Sequence, residues 1–497
     1  MIRVSLLSVA AVLAFAAGSA PSAFAKDGVY TSTTLGRNGD VTVQTTITNG
    51  RIADVKVLDW SETHPIADLP RVKVPADIVK NQSLGVDVVS GATLTSFAII
   101  NGVRDALKQA GLNPADFSKK IAPQPKLTDT VEESADIVII GAGGAGLSAA
   151  VTAAKAGKSV IVMEKTHYAG GNTSVAGGCY NAADPALEAK QEMSPQRRAS
   201  VDTLLAEPVR SKLHGELIQK VKEQLAQYDA KGGKYLFDSV ELHALQSWKA
   251  GDYAGNLDLV YELAKGAPEM QKELAEMGFK WNSGTEQVVG ALWPRSNRAS
   301  NYKSGVGYID TFLNEIKTKH LPVTFIMNTA ASDILMKDGR AAGVVGTAEN
   351  GRTFKVLAKD GVILTTGGFS ANIDMRVQYD TIWDKKIGKG VMTTNVPSIT
   401  GDGIKMAQKV GANLIDMGYI QLLPTTDPYT GATNHAVSLT TGIYLNTDGK
   451  RFVNELGRRD ELARAALAQP DHKFFILATS DANKIDKEGR NQYGIKV

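Results

Sequence analysis

The 497-residue chain has a single cysteine, Cys179, which excludes an internal disulfide framework. It has no CxxCH run, so a c-type haem attached to this chain is excluded as an electron carrier. Charge of one sign is also lacking: the formal net charge is +3, and a nucleic-acid surface is not implied. Beyond the first residues no segment is apolar for long enough to cross a membrane, and there is no internal repeat or low-complexity tract. Glycine, by contrast, is abundant at 48 residues, which suits close backbone approach to phosphates as well as ordinary turns.

The first residues combine Arg3, an apolar run from Val4 to Ala17 and the small-x-small sequence Ala23-Phe24-Ala25. That pattern is the one of a cleaved signal peptide over 1–25, so the mature chain is expected to begin near Lys26 and to work in the periplasm. The alternative, a membrane anchor, meets a run that is short and rich in alanine.

From Tyr30 to Val57 apolar and β-branched positions alternate (Val41, Val43, Thr45, Ile47), with Asn49-Gly50 as a turn; this predicts a hairpin in a small sheet. Phe97, Ile100, Val103 and Leu107 recur at helical spacing, and the helix is expected to end near Gly111. A first unit over 26–112 is followed by a linker over 113–134 that contains Pro114, Pro123 and Pro125. The second unit, 135–417, opens with a strand from Ala135 to Ile140, a glycine-rich turn, a small-residue helix and the strand KSVIVMEK, which is a βαβ unit. A mainly helical stretch from about Pro185 to His320 follows, then short strands; a third unit starts at 418 and is expected to be incomplete at 497. The fold class is α/β, α+β over the whole chain, with a Rossmann-like second unit.

The turn is GAGGAG, between strand and helix, with Glu164 at the end of the next strand. In that setting Gly141 makes the tight turn, Gly143 lets the backbone approach a pyrophosphate beside Ala145, and Gly146 lets helix pack on strand. Glu164 is positioned to accept from ribose hydroxyls. These features indicate a dinucleotide and leave NAD and FAD open. A second glycine-rich run, AGGNTSVAGG, follows within a few residues.

With that second run, the chain resembles the flavoprotein family of fumarate reductases and succinate dehydrogenases, and within it the soluble periplasmic branch that includes urocanate reductase. TTGGFSAN (Thr365 to Asn372) and TGDG (Thr400 to Gly403) match two further motifs of that family in the expected order. The resemblance runs from about residue 134 to the C-terminus. It implies that Gly170, Gly171, Asn172, Thr173, Gly177 and Gly178 surround FAD, with Asp402 facing it. The run from Gly170 to Gly178 holds no histidine to tether a flavin ring, so this FAD is expected to be non-covalent.

Upstream, Asp87 to Ser96 reads DVVSGATLTS. Taken alone, SGATLTS is a helix start with Ser90 or Thr93 as N-cap. Placed after a small sheet, DxxSGAT resembles the FMN-binding domain of sodium-translocating quinone reductases and urocanate-reductase-like proteins. That resemblance implies an FMN phosphate esterified to Thr93 by a flavin transferase, with Asp87 in the recognition motif. A hydroxyl at a helix N-terminus offers the ester backbone N–H groups and a positive dipole end.

NTDGKRFVNELGRRD, Asn446 to Asp460, resembles the segment whose arginine before the final aspartate donates the proton in this family; here that is Arg459. The alternative is an ion pair with Asp460 or Glu461. Arg458 is expected to be structural. The implied reaction is hydride delivery to the β-carbon of an α,β-unsaturated carboxylate. An external periplasmic cytochrome or quinol dehydrogenase would supply the electrons through FMN to FAD. The rest of the pocket departs from the family. Leu423 stands where fumarate reductases have His and urocanate reductases Tyr, Asn434-His435 where fumarate reductases have Thr-Glu, and Ser438 where they have a relay Arg. Leu423 points to a less polar substrate. His435 is open between proton relay, substrate binding and a turn. Two other readings stand beside the reductase: an electron-transfer flavoprotein that uses both flavins as a wire, and an FAD oxidase or dehydrogenase.

Overall fold

The structure is a computed structural model that describes residues 26–479 apart from 124, 289–290, 425 and 427–441. His435, with Asn434 and Ser438, lies outside the described residues.

The first unit is a three-stranded antiparallel sheet, β1 (Gly28–Leu35), β2 (Asp40–Thr48) and β3 (Arg51–Trp60), covered by α1 (Asp68–Asn81) and α2 (Thr93–Gln109). The alternation expected for β2 holds: Val41, Val43, Thr45 and Ile47 are all buried, because a strand with one face on a core must alternate. Asn49 and Gly50 both have positive φ, 52° and 70°, which is what a two-residue hairpin turn requires. The outer strand β1 extends the predicted hairpin by one. On α2, Ile100, Val103 and Leu107 are buried as expected, but Phe97 is 49% exposed. The sheet-facing positions beside it are taken by Ala98 and Ile99, so Phe97 falls on the outward face, one turn below Thr93. This core reaches Phe117, whose carbonyl accepts from Leu84 N at 2.6 Å.

The second unit is built on a six-stranded sheet in the order β8-β5-β4-β11-β10-β9. Its parallel part is β4 (Thr130–Ile140), β5 (Val160–Met163), β8 (Val323–Ile326) and β11 (Thr353–Leu364). β9 (Thr329–Lys337) and β10 (Arg340–Ala348) add an antiparallel edge. α3 (Gly144–Lys155) crosses from β4 to β5, and α10 (Val306–Thr318) packs on it. β4 pairs with β5 on one side and β11 on the other, so the carboxyl ends of these strands diverge there and leave the crevice typical of doubly wound sheets.

Between β5 and β8 the chain makes the short helix α4 (Gly171–Val175) and the ribbon of β6 (Tyr180–Asn181) and β7 (Ser296–Asn297). The same excursion holds a helical layer: α5 (Pro185–Glu188), α6 (Pro195–Leu205), α7 (Lys212–Ala230), α8 (Val240–Ala250) and α9 (Leu257–Glu276). After β11 come α11 (Ile373–Tyr379) and α12 (Asp402–Lys409), then β12 (Ile443–Leu445), α13 (Arg459–Leu467) and β13 (Phe475–Leu477). Trp383 ties the last part down: its indole N–H donates to Ile420 O at 2.7 Å, and Ala463 and Leu467 pack with it. No helix among the described residues is long and apolar enough to cross a membrane.

The helical layer encloses charge. Arg295 holds Asp238 through two 2.8 Å bonds and reaches Gln246 at 2.6 Å. Glu188, fully buried beside them, has its carboxyl pushed well up, first by burial and then by the Asp238 charge. A carboxyl raised in the folded state keeps a proton that the unfolded chain releases. Stability therefore falls as pH rises from the ordinary Glu value of about 4.3 toward the raised one. Glu188→Gln is expected to remove that slope. Its thermal midpoint should equal or exceed the parent's at about pH 8, with the difference vanishing near about pH 4; equal slopes for both proteins would contradict the protonated carboxyl.

Candidate functional site

The crevice at the carboxyl ends of β4, β5 and β11 holds a cavity of about 270 Å³. Of the residues expected at FAD, Gly141, Gly143, Ala145, Glu164, Gly171, Asn172, Thr173 and Asp402 line it. Gly146 lies just beneath: a Cβ there would come within 1.9 Å of the Gly141 carbonyl oxygen, so only glycine lets α3 begin this close to β4. Gly141 has φ +102°, and a Cβ on it would meet the Thr365 carbonyl at 2.6 Å. At Gly143, by contrast, the nearest atom to a Cβ is 3.9 Å away, which leaves the backbone open to a ligand.

The N-caps of α3 and α12, Gly143 and Gly401, supply no side-chain cap; Gly144 N donates to Thr173 Oγ1 at 3.2 Å, and the remaining first-turn N–H groups of the two helices suit an anion. A pyrophosphate with its ribose fits this donor set. Glu164 accepts from Ala142 N and Thr166 N, both at 2.8 Å, which fixes its carboxylate at the cavity wall with lone pairs left for a hydroxyl. Asn172 bridges to a distant segment, accepting from Val396 N at 2.9 Å and donating to Asn395.

Sequence reasoning missed Lys165, whose Nζ donates to Asp402 Oδ2 at 2.7 Å and Thr400 Oγ1 at 2.8 Å. Its one signal was its place directly after Glu164 at the strand end. Burial alone would raise the Asp402 carboxyl, but the hydrogen bond and charge of Lys165, with help from Thr400, hold it below the usual range. Asp402 thus faces the cavity as one end of an ion pair. Gly170, Gly177 and Gly178 do not line the cavity. Gly177 O accepts from Arg298, and Gly178 O accepts from the Tyr308 hydroxyl at 2.8 Å.

The next residue, Cys179, is exposed. Partial desolvation pushes the Cys179 thiol up, with Glu286 adding to it, while the charges of Arg298 and Arg459 pull it down. The two arginines of the RRD run have different surroundings. Arg458, the N-cap of α13, takes Asp252 through bonds of 2.7 and 3.0 Å and Asp460 through bonds of 3.0 and 2.8 Å. Arg459, the first residue of α13, is half-buried and has no hydrogen-bond or ion-pair partner among the described residues. Leu423 is 42% exposed.

In the first unit Thr93 is the first residue of α2, and the N-cap is Ala92, with no side-chain cap. The capping alternative therefore fails for both Ser90 and Thr93. Ser96, fully buried, holds the turn from both sides, accepting from Val89 N at 3.1 Å and donating to Ala92 O at 2.9 Å. Gly91 has φ +82°, which favours glycine in this turn. Thr93 itself is exposed and its hydroxyl has no partner among the described residues; Leu94 and Phe97 stand beside it, 43% and 49% exposed. An exposed helix-start hydroxyl with apolar neighbours fits a flavin phosphate ester.

Gly146→Ala tests the cradle. The added Cβ must displace the Gly141 carbonyl, a misfit of about 1–3 kcal/mol, so FAD affinity is expected to fall by on the order of 10- to 100-fold. Titration of apoprotein with FAD reads this, and unchanged affinity would place the dinucleotide elsewhere.

A family model for an FAD binding domain matches residues 136–236 and 226–489, and one for an FMN-binding domain matches 36–108. The chain is 36% identical over 474 residues to the NADH:acrylate oxidoreductase of Vibrio harveyi, covering 92% of this chain and 46% of that protein. It is 31% identical over 465 residues to the urocanate reductase of Eggerthella lenta, covering 91% and 67%. The chain thus spans about half to two thirds of the length of these curated relatives. The open conformation of a flavocytochrome c3 fumarate reductase shares the fold with a TM-score of 0.52 at 24% identity, covering 69% of this chain and 52% of that one. With both matches and this coverage, the chain belongs to the FAD-binding flavoprotein family that includes the fumarate and urocanate reductases, and it carries an FMN-binding domain ahead of the FAD-binding one.

Proposed function

We propose that this protein is an exported ene-reductase that draws electrons from an external donor and reduces the C=C bond of an α,β-unsaturated carboxylate. The observation that carries the reading is Arg459, a cation without a carboxylate partner among the described residues, beside a neighbour that takes two. The names of the relatives, an acrylate oxidoreductase and a urocanate reductase, support the substrate class.

When bound, FMN on Thr93 supplies the electron intake and FAD supplies hydride from its N5 to the substrate β-carbon. The chain does the rest. Arg459 stabilises the negative charge that develops toward the substrate carboxylate, and one of its N–H groups delivers the proton to the α-carbon. Hydride at one carbon and a proton at the other give the saturated carboxylate. A guanidinium is a poor acid in water, so Arg459 must be reprotonated at once, and His435 is the candidate for that relay. Gly143 and the first turns of α3 and α12 bind the dinucleotide phosphates, while Glu164 orients its ribose. The exposed Thr93 and Asp87 are open to a flavin transferase. Leu423, where polar residues are expected from the resemblance, favours an apolar tail on the substrate; such a pocket separates apolar tails only modestly.

Two measurements test this reading. Oxidation of reduced viologen should accelerate when an enoate such as acrylate, cinnamate or urocanate is added. Arg459→Ala should lower that rate by roughly 10²–10⁴-fold with FAD still bound. A rate unaffected by any enoate leaves an electron carrier as the function. Independently, the intact mass of the secreted protein should equal a chain starting near Lys26 plus one FMN, and Thr93→Ala should lose the FMN mass. Covalent flavin retained in Thr93→Ala sinks the attachment.

A further inference from the structure

We infer that Tyr168 locks the Thr93-bearing turn of the first unit onto the FAD cradle of the second and so fixes the path between the two flavins. This rests on the proposed attachment of FMN at Thr93. Tyr168 belongs to the second unit yet lies in the seam: it is 5% exposed, and its Cε1 is 3.8 Å from the position a Cβ would take on Gly91, two residues before Thr93. Gly91 is thus both the residue that allows the turn and the one against which the ring rests.

The groups around the phenol come from both units. Burial pushes its hydroxyl up to about 12, the Glu164 charge adds to that, and Ser398 and Arg37 pull the other way. Ser398 and Glu164 line the FAD cavity, whereas Arg37 lies in the turn between β1 and β2. The backbone of Tyr168 is anchored on the cradle side. Thr166 Oγ1 donates to the Tyr168 carbonyl at 2.7 Å and contacts Glu164 Oε1 at 2.8 Å, and Gly170 N donates to Ala142 O at 2.8 Å. Two further contacts cross the seam: His167 Nε2 lies 3.0 Å from Ile66 O, and His64 Nε2 lies 3.6 Å from Asp310 Oδ1.

Tyr168 forms no bond to either flavin in this scheme and is not itself oxidised. Tyr168 is a positioning residue that holds the distance; with both flavins bound, electrons would pass one at a time from reduced FMN to FAD, with protons exchanged with water. The contact is with the ring and not the hydroxyl, so phenylalanine should preserve it and alanine or leucine should not.

The test uses the full chain with both flavins. Illuminated deazaflavin takes an electron from EDTA as sacrificial donor, the resulting deazaflavin radical gives one electron to the covalent flavin, and loss of that flavin's reduced absorbance as FAD gains the electron reads the transfer. Tyr168→Phe is expected to transfer at the parent rate, while Tyr168→Ala and Tyr168→Leu should be slower by about tenfold or more. In those two variants amide hydrogen exchange over 88–96 should rise while that of the six-stranded sheet stays fixed. Should the alanine protein fail to fold, the leucine protein carries the comparison. Parent transfer and parent exchange in a variant with both flavins at full occupancy would falsify the role. The exchange arm, run on protein never exposed to a flavin transferase, still reads the lock if no FMN attaches to Thr93, so loss of that attachment and loss of the lock give different results.

Discussion

The contact on which the second unit depends is between backbones at the end of β4. Gly146 stands where a Cβ would lie 1.9 Å from the Gly141 carbonyl oxygen, so α3 can turn back on its own strand only because that atom is missing. The Thr365 hydroxyl then spans Ile140 O and Gly141 O at 2.9 Å each, which ties the end of β11 to the same turn. A parallel sheet brings strand ends together, but it takes these glycines to bring a helix start within reach of a ligand there. Gly143, Gly144 and Ala145 at the start of α3 line the crevice as a consequence of that packing, where a helix N-terminus suits an anion.

From that joint the structure passes outward through Glu164. Its carboxylate accepts from Ala142 N on the turn and from Thr166 N on the following loop, so one side chain links the phosphate-binding turn to the segment that meets the first unit. Lys165 does the same on the other side by pairing with Asp402 at the start of α12. Glu164 and Lys165, just past the end of β5, both line the cavity, and each joins the sheet to a different element.

The turns and periodicities that depend on local geometry were legible in the sequence. GAGGAG, Asn49-Gly50 and the alternation through β2 are such cases, since a positive φ or one buried strand face leaves its mark on adjacent residues. The contacts that depend on remote partners were not. Phe97 fits the helical pattern of Ile100 and Val103, and only the sheet packed against α2 decides that Ala98 and Ile99 face it instead. Phe117, in the stretch read as linker, completes the first core through Leu84, 33 positions earlier, and a proline-rich composition does not reveal such a partner. Likewise, nothing in HYAGG marks Tyr168 as an interdomain residue, because its neighbour Gly91 is far off in the chain. Within the site, the residues of the glycine runs split: Gly171 to Thr173 reach the cavity, while Gly177 and Gly178 turn toward Arg298 and Tyr308.

Arg458 and Arg459 carry that lesson into the chemistry. Consecutive residues at a helix start do not share a face, so two identical side chains meet different surroundings. Arg458, extended at the N-cap, turns to Asp252 and Asp460 and is neutralised by both. Arg459, one step into the helix, has a charge that is felt at Cys179 and is not compensated by any described carboxylate. A half-buried cation with no carboxylate partner among the described residues carries a desolvation cost that a nearby anion would offset. From the sequence, proton donation is expected of Arg459 and a structural part of Arg458, and the helix start gives the two guanidinium groups different described partners.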